Sequence, residues 1–349
     1  MTIPHSTNRD ILFISARNFG DAILHANFIR EFSNKFVYRK IYVWTTPEAR
    51  PIFESIDNIN IIDSYFPMGM GRKKFFTQLW FIKIFYTIFR LRKLNLYFAF
   101  DFTSDIREQL FIFSIGAYYS RKIGFPKHSA FRNFVWFSGL RILPSLNIKI
   151  DSDNIYTVYD KSLDLFQDFF SRSLSMAIDN KALADVNHYK IIGIHPFASQ
   201  DFKIWPSKYW LEIIGLIKST LPDYEIYIFG KPEEFEKFNF SIPEGVYIKF
   251  GSIKSVMKDI SSVCLLVCLE SFSNHLATFL SIPTLVISGA NNPEIFVKSN
   301  NYFVRNDNLL SCQYCNGKPT CTKTRDPYFC MNLITPDIVL SKILSILKI

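Results

Sequence analysis

The amino-acid sequence predicts an α/β protein made of two doubly wound parallel-sheet domains. Three observations support this prediction: apolar runs alternate with helix-like segments in both halves, the chain is long for a single core, and its composition is that of a folded protein. Hydrophobic residues make up 48% of the 349 residues and aromatic residues 17%. This composition excludes a disordered chain, because it supplies ample apolar surface for burial.

Nine apolar runs of strand length mark the predicted sheets, four in the first half and five in the second. Segments of helical period separate them, which is the βαβ order that a parallel sheet requires. The runs are DILFISA, KIYVWT, INIID, LYFAFDF, KIIGIHPF, YEIYIFG, VYIKFG, VCLLVCL and TLVISGA.

The domain boundary is predicted between the two series of strands. A chain of 349 residues exceeds the size at which one core usually keeps growing. Residues 160–188 lack strong strand runs and carry polar turns, so we predict domains at 1–170 and 171–349. The C-terminal stretch TPDIVLSKILSILKI predicts a terminal helix, with Thr335 as its N-cap and Pro336 in its first position.

The charge balance favours anionic partners. The chain has 40 Lys and Arg against 31 Asp and Glu, a formal net charge of +9. This excess is compatible with nucleic acid, a nucleotide-type ligand or an anionic membrane. The first ten residues, MTIPHSTNRD, lack the apolar core and cleavage site of a signal peptide, so a cytoplasmic location is the default expectation.

Residues 72–93, RKKFFTQLWFIKIFYTIFRLRK, form a segment that is apolar inside and basic at both ends. Gln78 and Lys83 interrupt it, which leaves the apolar run too short to span a bilayer. It contains seven Lys and Arg residues and no acid. Such a helix either lies on anionic lipid or packs into a core with solvated basic ends, and both alternatives need the same amphipathic pattern.

Polar motifs follow several predicted strands, the place where parallel-sheet proteins bind ligands. Asp21 lies in the FGD that opens the helix after the first strand. HPFASQDFKIWP follows the first strand of the second half, and ESFSNHLA follows a later one. Gly230 and Gly289 close two more strands. These positions predict a ligand site between the carboxyl ends of the two sheets.

The ordered motifs FGD, HPFAS with KIWP, ESFSNHLA, SGANNP and the cysteine series resemble those of the bacterial lipopolysaccharide heptosyltransferases, glycosyltransferase family 9. The resemblance runs from about residue 11 to the C-terminus. It implies a GT-B fold, in which two Rossmann-like domains face a central cleft, with an N-terminal acceptor-binding domain and a C-terminal nucleotide-sugar-binding domain. The implied reaction is inverting transfer of a heptose or related sugar from a nucleotide-diphosphate donor such as ADP-heptose to lipopolysaccharide or another glycan.

Asp21 matches the family's proposed general base. An inverting transfer needs a base that takes the proton of the acceptor hydroxyl. A carboxylate in the first turn of a helix is favoured in its ionised form by the helix dipole and the free N–H groups, so we expect it to be deprotonated at neutral pH. The position alone also fits an ordinary helix cap, and the match to the family's Gly-Asp pair favours the catalytic role.

The resemblance places the donor diphosphate beside the second sheet. Lys203 matches a family lysine and would offset charge on the leaving group, although a solvated loop lysine is the ordinary alternative. Glu270 and Phe272 replace the family's Asp and Gly, which indicates an altered sugar contact, a donor other than ADP-heptose, or weak or lost activity. The predicted donor-binding residues are His195, Ser199, Gly230, Glu234, Glu270, Ser271, Phe272 and His275.

Some of these residues have ordinary structural alternatives. A histidine such as His195 is more often a strand-end residue than a catalyst. Glu234, or its neighbour Glu233, matches a family acid near the ribose and equally fits an exposed acid that opens a helix. On the acceptor or membrane side the predicted contacts are Arg72, Lys73, Lys74 and Arg107.

Four cysteines near the C-terminus, in the segment 312–330, have the spacing of metal ligands. Cys312, Cys315, Cys321 and Cys330 can close a tetrahedral thiolate site for Zn or Fe, with reduced thiols or disulfides as alternatives. Four thiolates leave no open coordination position, so such a metal would be structural. The transfer chemistry itself is expected to need no cofactor.

Three further functions remain as alternatives. The chain could transfer another sugar or use a protein acceptor, it could be a catalytically silent homologue that binds nucleotide-sugar, or it could be a nucleotide-sugar isomerase. Glu270 and Phe272 suggest the silent homologue. The expected partners are a nucleotide-sugar donor and an anionic glycolipid or glycan acceptor, with no nucleic acid. The expected location is the cytoplasm, either free or peripheral on the inner face of the inner membrane.

Overall fold

The chain folds into two α/β units, residues 1–182 and 183–349. The predicted boundary between 170 and 171, and the predicted contacts Arg72, Lys73, Lys74 and Arg107, lie outside the residues that the structure describes. This computed structural model describes residues 10–15, 19–35, 40–63, 80–94, 96–102, 112, 114–116, 119–122, 154–157, 159–161, 163–164, 189–238, 243–306, 310–315, 319–321 and 327–349.

The first unit contains a five-stranded parallel sheet in the order β3-β2-β1-β4-β5. This is the order of a Rossmann-like doubly wound sheet, whose direction of growth reverses between β1 and β4. The described elements are β1 (Asp10–Ser15), α1 (Phe19–Lys35), β2 (Ile41–Thr45), α2 (Arg50–Phe53), β3 (Ile59–Asp63), α3 (Trp80–Arg92), β4 (Leu96–Asp101) and β5 (Tyr119–Lys122).

Aromatic rings fill the space between β1, β4 and α1. Phe13 stacks on Phe100 with ring centroids 4.8 Å apart and meets Phe32 of α1 edge-on at 5.1 Å. All three rings are fully buried. Burial of such a side chain stabilises the fold by about 1.5–3 kcal/mol. This packing holds α1, the helix that carries Asp21, against the sheet.

The second unit contains a six-stranded parallel sheet in the order β11-β10-β9-β6-β7-β8. Counted from β6 this is the full six-stranded Rossmann order, and its direction of growth reverses between β6 and β9. The elements are β6 (Ile191–His195), a 3-10 turn (Asp201–Lys203), α4 (Ser207–Thr220), β7 (Glu225–Phe229), α5 (Pro232–Phe238), β8 (Val246–Lys249), α6 (Ile253–Ile260), β9 (Leu265–Leu269), α7 (Phe272–Phe279), β10 (Thr284–Ile287), α8 (Pro293–Phe296), β11 (Tyr302–Val304), α9 (Phe329–Asn332) and α10 (Pro336–Leu347).

The two sheets confirm the predicted fold class, and each of the nine predicted runs forms a strand. The sequence did not reveal β5 and β11, which are four and three residues long and lie at sheet edges. A short edge strand needs no long apolar run, because part of it faces solvent. Helix α10 begins as predicted, with Thr335 as N-cap and a proline in the first turn, and it packs against α4.

The segment 72–93, predicted either to lie on anionic lipid or to pack into a core, coincides in part with α3. Its first eight residues, 72–79, lie outside the described part of the chain. Among the helices that the structure describes, none has both the length and the apolar character needed to cross a bilayer.

Candidate functional site

A buried polar cluster lies where β6, β9 and β10 end. Lys203 Nζ donates a hydrogen bond to Glu270 Oε1 at 3.0 Å, and Asn291 Nδ2 donates to the same oxygen at 2.9 Å. The Glu270 side chain is 8% exposed and that of Lys203 18%. The three residues follow three different strands, so only the assembled sheet brings them together.

The cluster leaves buried polar atoms unsatisfied. Burial raises the pKa of the Glu270 carboxyl, and the Lys203 charge and the hydrogen bonds from Lys203 and Asn291 offset part of that rise. Within the described part of the chain, Glu270 Oε2, Asn291 Oδ1 and His195 Nδ1 are buried without a hydrogen-bond partner. Buried polar atoms are costly unless a ligand or water completes them. The cluster therefore has the character of a site for a polar ligand.

Aromatic packing fixes the loop that carries Lys203. Phe202 is buried beside it, and Trp205 is fully buried. Trp205 Nε1 donates a hydrogen bond to the Ile334 carbonyl at 2.7 Å, and its ring meets Trp210 edge-on at 4.9 Å. The KIWP motif thus combines a cation with the anchor that positions it.

His195 ends β6 between the edges of two aromatic rings. The centroid of its ring lies 5.8 Å from the Phe197 ring centroid and 5.1 Å from that of Phe272, and both ring pairs are edge-on. Burial lowers the pKa of His195 to about 4, so the imidazole is neutral at pH 7. Phe272 begins α7 with helical backbone and is not among the described residues with positive φ. The lost glycine therefore causes no backbone strain here, and the ring packs against His195 instead.

The start of α7 adds a histidine and two hydroxyls. Burial, and next the Lys203 charge, lower the pKa of His275 to about 4. The Ser271 and Ser273 hydroxyl oxygens lie 2.8 Å apart. Ser271 is the N-cap residue, but its side chain does not cap the helix. The Ser271 hydroxyl therefore does not occupy the first-turn N–H groups of α7. An anion site at a helix start requires N–H groups that no capping side chain occupies.

Three predicted donor-side residues have different local roles. A Cβ at Gly230 would overlap the Phe197 ring and come within 2.9 Å of Phe235 Cε2, so packing explains that glycine. Glu234 Oε2 accepts a hydrogen bond from the Lys231 N–H at 2.8 Å and thereby caps α5. Ser199 is exposed after β6. The structure describes no contact between these residues and Glu270, and their donor-binding roles stay predictions.

In the first unit, Asp21 lies in the first turn of α1 and is partly exposed. Tyr159 is buried nearby, and its pKa is raised mainly by burial and next by the negative charge of Asp21. The predicted helix-start position of Asp21 is thus observed, and its catalytic role stays a prediction.

One turn beyond Asp21, a buried histidine lies at the point where the first sheet reverses. His25 Nδ1 is 2.9 Å from Ser15 Oγ, which ends β1. The His25 ring stacks on Phe102, just after β4, with centroids 4.0 Å apart. This group was not predicted from the sequence, although the four-residue spacing between Asp21 and His25 places them on one helix face. Asn291 was not predicted either, and its signal was a polar side chain just after β10.

The four C-terminal cysteines line one pocket together with Phe202, Ala290 and Gln313. None of these four cysteines forms a disulfide bond, and burial, followed by the three neighbouring thiols, raises the pKa of Cys330 to about 11. Among the described residues, which include all four cysteines, no group of three or more His, Cys, Asp or Glu is arranged to hold a metal ion. Cys315 N donates to the Ala290 carbonyl at 3.1 Å, so the segment supports the loop that carries Asn291.

Comparison with known families assigns the chain to a class of enzyme. The two Rossmann-like sheets, each with polar residues at its point of reversal, are those of a GT-B glycosyltransferase. The model of glycosyltransferase family 9 (heptosyltransferase) matches residues 112–324, more than half of the chain. The chain belongs to glycosyltransferase family 9, the heptosyltransferase family.

Solved heptosyltransferase structures share this fold at low sequence identity. E. coli WaaC, solved with ADP-2-deoxy-2-fluoro heptose, is 14% identical with a TM-score of 0.69, over 96% of this chain and 99% of that chain. E. coli ADP-heptose lps heptosyltransferase II is 14% identical with a TM-score of 0.61, over 96% and 98%. The iron-containing dodecameric glycosyltransferase TibC from enterotoxigenic E. coli is 14% identical with a TM-score of 0.55, over 98% and 80%. Comparison with curated protein sequences gave no match.

Proposed function

We propose that this enzyme transfers a heptose from a nucleotide-diphosphate donor such as ADP-heptose to an anionic glycan, in particular lipopolysaccharide, with inversion at the anomeric carbon. The observation that carries the proposal is the buried cluster of Lys203, Glu270 and Asn291, with its unsatisfied polar atoms, at the reversal point of the second sheet. Ligands of doubly wound sheets bind at this point. The ligand of WaaC, an ADP-heptose analogue, supports an ADP-linked donor.

The second unit would hold the donor through charge and hydrogen bonds. Lys203 Nζ is the cation for the diphosphate, and the N–H groups at the start of α7 offer a second anion contact. Glu270 already binds Lys203, so an incoming diphosphate competes with that carboxylate for Nζ. Glu270 Oε2 and Asn291 Oδ1 are acceptors suited to sugar hydroxyls.

The transfer step needs a base and a stabilised leaving group. Asp21 would accept the proton of the acceptor hydroxyl while that oxygen forms a bond to the anomeric carbon. The bond from this carbon to the diphosphate oxygen breaks on the opposite face of the sugar, and the electron pair remains on the diphosphate. Lys203 then offsets the added negative charge. We place the enzyme in the cytoplasm, either free or on the inner face of the inner membrane. The second location would give it access to a glycolipid acceptor held in that membrane.

We further propose that the four cysteines hold a structural Zn or Fe ion. The donor set supports it, because four thiols line one pocket beside the Gly289–Asn291 loop. The thiols would have to converge further to ligate the ion. Such an ion would stabilise the cysteine segment and, through it, the position of Asn291. TibC, described as iron-containing, makes iron worth testing alongside zinc.

A thermal-shift screen with ADP, ADP-heptose and other nucleotide-sugars tests the donor. A ligand at about 100 times its dissociation constant should stabilise the fold by about 2.7 kcal/mol. We expect the largest shift with ADP-heptose. If no nucleotide or nucleotide-sugar stabilises the protein, the transferase proposal fails. Stabilisation by ADP-heptose without transfer to any glycan or protein acceptor would instead indicate the catalytically silent homologue.

Metal analysis of freshly purified protein tests the cysteine site. We expect about one Zn or Fe per chain in the wild type and loss of the metal in Cys312→Ser. Cys264→Ser is the matched control, because Cys264 is also a free thiol but does not line the pocket. Metal-free wild-type protein in which these four cysteines titrate as thiols would exclude the proposed site.

A further inference from the structure

Helix α3 has two apolar faces, and only one of them packs against the part of the protein that the structure describes. Leu91 and Thr87 are buried on the inner face, and Ile88 packs against the first-unit core. On the outer face, Ile82, Phe85, Tyr86 and Phe89 are 54%, 69%, 62% and 58% exposed. Their spacing of three and four residues forms one continuous stripe along the helix.

Such a stripe differs from ordinary surface exposure. Single exposed hydrophobic residues are common and need no explanation, whereas contiguous exposed patches mark interaction sites. Four large apolar side chains on one helix face, two of them phenylalanine, have no role in the described core. The stripe therefore indicates a partner with an apolar surface.

The charges around the stripe define the chemistry of that partner. Arg90, Arg92 and Lys93 are exposed at the end of α3. The Arg90 guanidinium lies 5.9 Å from the Tyr86 ring centroid, and Lys93 Nζ lies 4.5 Å from that of Phe89. The sequence contains no acidic residue from 72 to 100. Basic residues near a helix C-terminus also interact favourably with its dipole, but the dipole does not explain the aromatic stripe beside them.

We propose that the outer face of α3 docks on an anionic lipid bilayer. The aromatic side chains enter the boundary between headgroups and acyl chains, and the adjoining cations meet the lipid phosphates. A bilayer supplies both an extended apolar layer and a continuous negative charge, which this surface matches. The docking surface does not depend on the identity of the donor, so it can fail without affecting the donor proposal.

Vesicle sedimentation of the full chain tests this surface. The probes are vesicles of phosphatidylcholine and phosphatidylglycerol at about 3:1, and vesicles of phosphatidylcholine alone. We expect binding to the anionic vesicles that weakens at high salt, and little binding to the neutral ones. Phe85→Ser with Phe89→Ser should weaken binding about tenfold or more, because both side chains lose their apolar contact with the lipid. Arg90→Glu with Lys93→Glu should weaken it comparably.

Matched variants in the second unit serve as controls. Phe250 is 59% exposed, so Phe250→Ser should leave vesicle binding unchanged. Lys254→Glu with Lys258→Glu alters two exposed lysines on α6 and should have a smaller effect than the α3 reversal. Circular dichroism checks that each variant folds.

Three outcomes would overturn the proposal. The wild type could fail to bind anionic vesicles while ADP still stabilises it. Both α3 variants could bind vesicles like the wild type. Alternatively, the serine variant could convert a wild-type dimer into a monomer without a change in vesicle binding, which would assign the stripe to a second copy of the chain.

Discussion

In each unit a carboxylate lies near the start of the helix that follows a central strand, but the two carboxylates differ in exposure and in their contacts. Asp21 lies within the first turn of α1, is partly exposed, and acts on the buried Tyr159 by its charge. Glu270 lies just before α7, is buried, and receives hydrogen bonds from Lys203 and Asn291. The same local pattern therefore yields one carboxylate that is partly exposed and another that is buried and paired with a cation.

This difference separates a base from a binding residue. Burial raises the pKa of Glu270, but protonation of this carboxylate would leave the partly buried Lys203 without its counter-charge, which is unfavourable. A carboxylate in the first turn of a helix is favoured in its ionised form by the helix dipole. These surroundings support the proposed roles, with Asp21 as the base and Glu270 as a ligand contact.

The largest expected effect tests the accessible carboxylate. Asp21→Asn should lower the transfer rate by about 10²–10⁴-fold, the usual contribution of general base catalysis, because the amide cannot accept the proton. ADP stabilisation should stay unchanged. Turnover is measured with the donor found in the screen and a glycan acceptor extract. Near-normal turnover would show that Asp21 is only a cap.

The next effect tests the cation of the buried pair. Lys203→Met should lower the rate by about 10²–10³-fold, as expected for loss of one charge-stabilising group, and weaken ADP binding. Lys208→Met, at an exposed position five residues on, is the control for a general change of charge. Equal effects of the two substitutions would show that Lys203 does not contact the diphosphate.

His195 and His275 should make the stability of the second unit sensitive to acid. Because the folded pKa of His195 is about 4 against about 6.5 when unfolded, the unfolded chain binds the proton first. The stabilising effect is therefore complete above about pH 6.5 and is lost as the pH falls toward 4. For His195 this loss is about 2–3 kcal/mol.

Urea unfolding of the wild type and His195→Gln across this range measures the effect. The substitution should reduce the acid-induced loss of stability. Part of the loss should remain because of His275, whose pKa is also about 4. An unchanged pH dependence in His195→Gln would mean that His195 is not buried in its neutral form.

The smallest effect compares the buried ion pair with an exposed one. Glu270→Gln should lower the free energy of unfolding by about 1–3 kcal/mol, because the partly buried Lys203 loses its counter-charge. The same change should tighten ADP binding, since Lys203 is released for the diphosphate. The Lys190–Asp223 pair has an N···O distance of 3.1 Å but is largely exposed, so Asp223→Asn should change stability by less than about 1 kcal/mol. Weaker ADP binding in Glu270→Gln would contradict the proposed competition.

Much of the architecture was predictable because it depends on local patterns. Central strands of a parallel sheet are covered on both faces and read as continuous apolar runs, which is why β1, β6 and β9 were evident. The edge strands β5 and β11 lack such runs and were missed. Strand ends and helix starts are also local features, so Asp21, Lys203 and Glu270 were all identified as candidates.

The contacts among these candidates depend on the order of strands in the sheet. Lys203 and Glu270 are 67 residues apart and Glu270 and Asn291 are 21 apart, and they meet because β9 lies between β6 and β10. Alternating apolar and polar segments do not encode that order. Likewise, the aromatic pattern of α3 predicted an amphipathic helix, but only packing against the first-unit core selects its buried face.

The sequence by itself determined the two Rossmann-like sheets, the motifs at their strand ends and the resemblance to heptosyltransferases, because apolar periodicity and motif order are properties of the chain. Only the tertiary structure decided that Glu270 is bound by Lys203 and Asn291, that Phe272 packs on His195 without backbone strain, and that the outer stripe of α3 stays exposed. These features arise from contacts between distant segments, and burial and charge balance are set by such contacts.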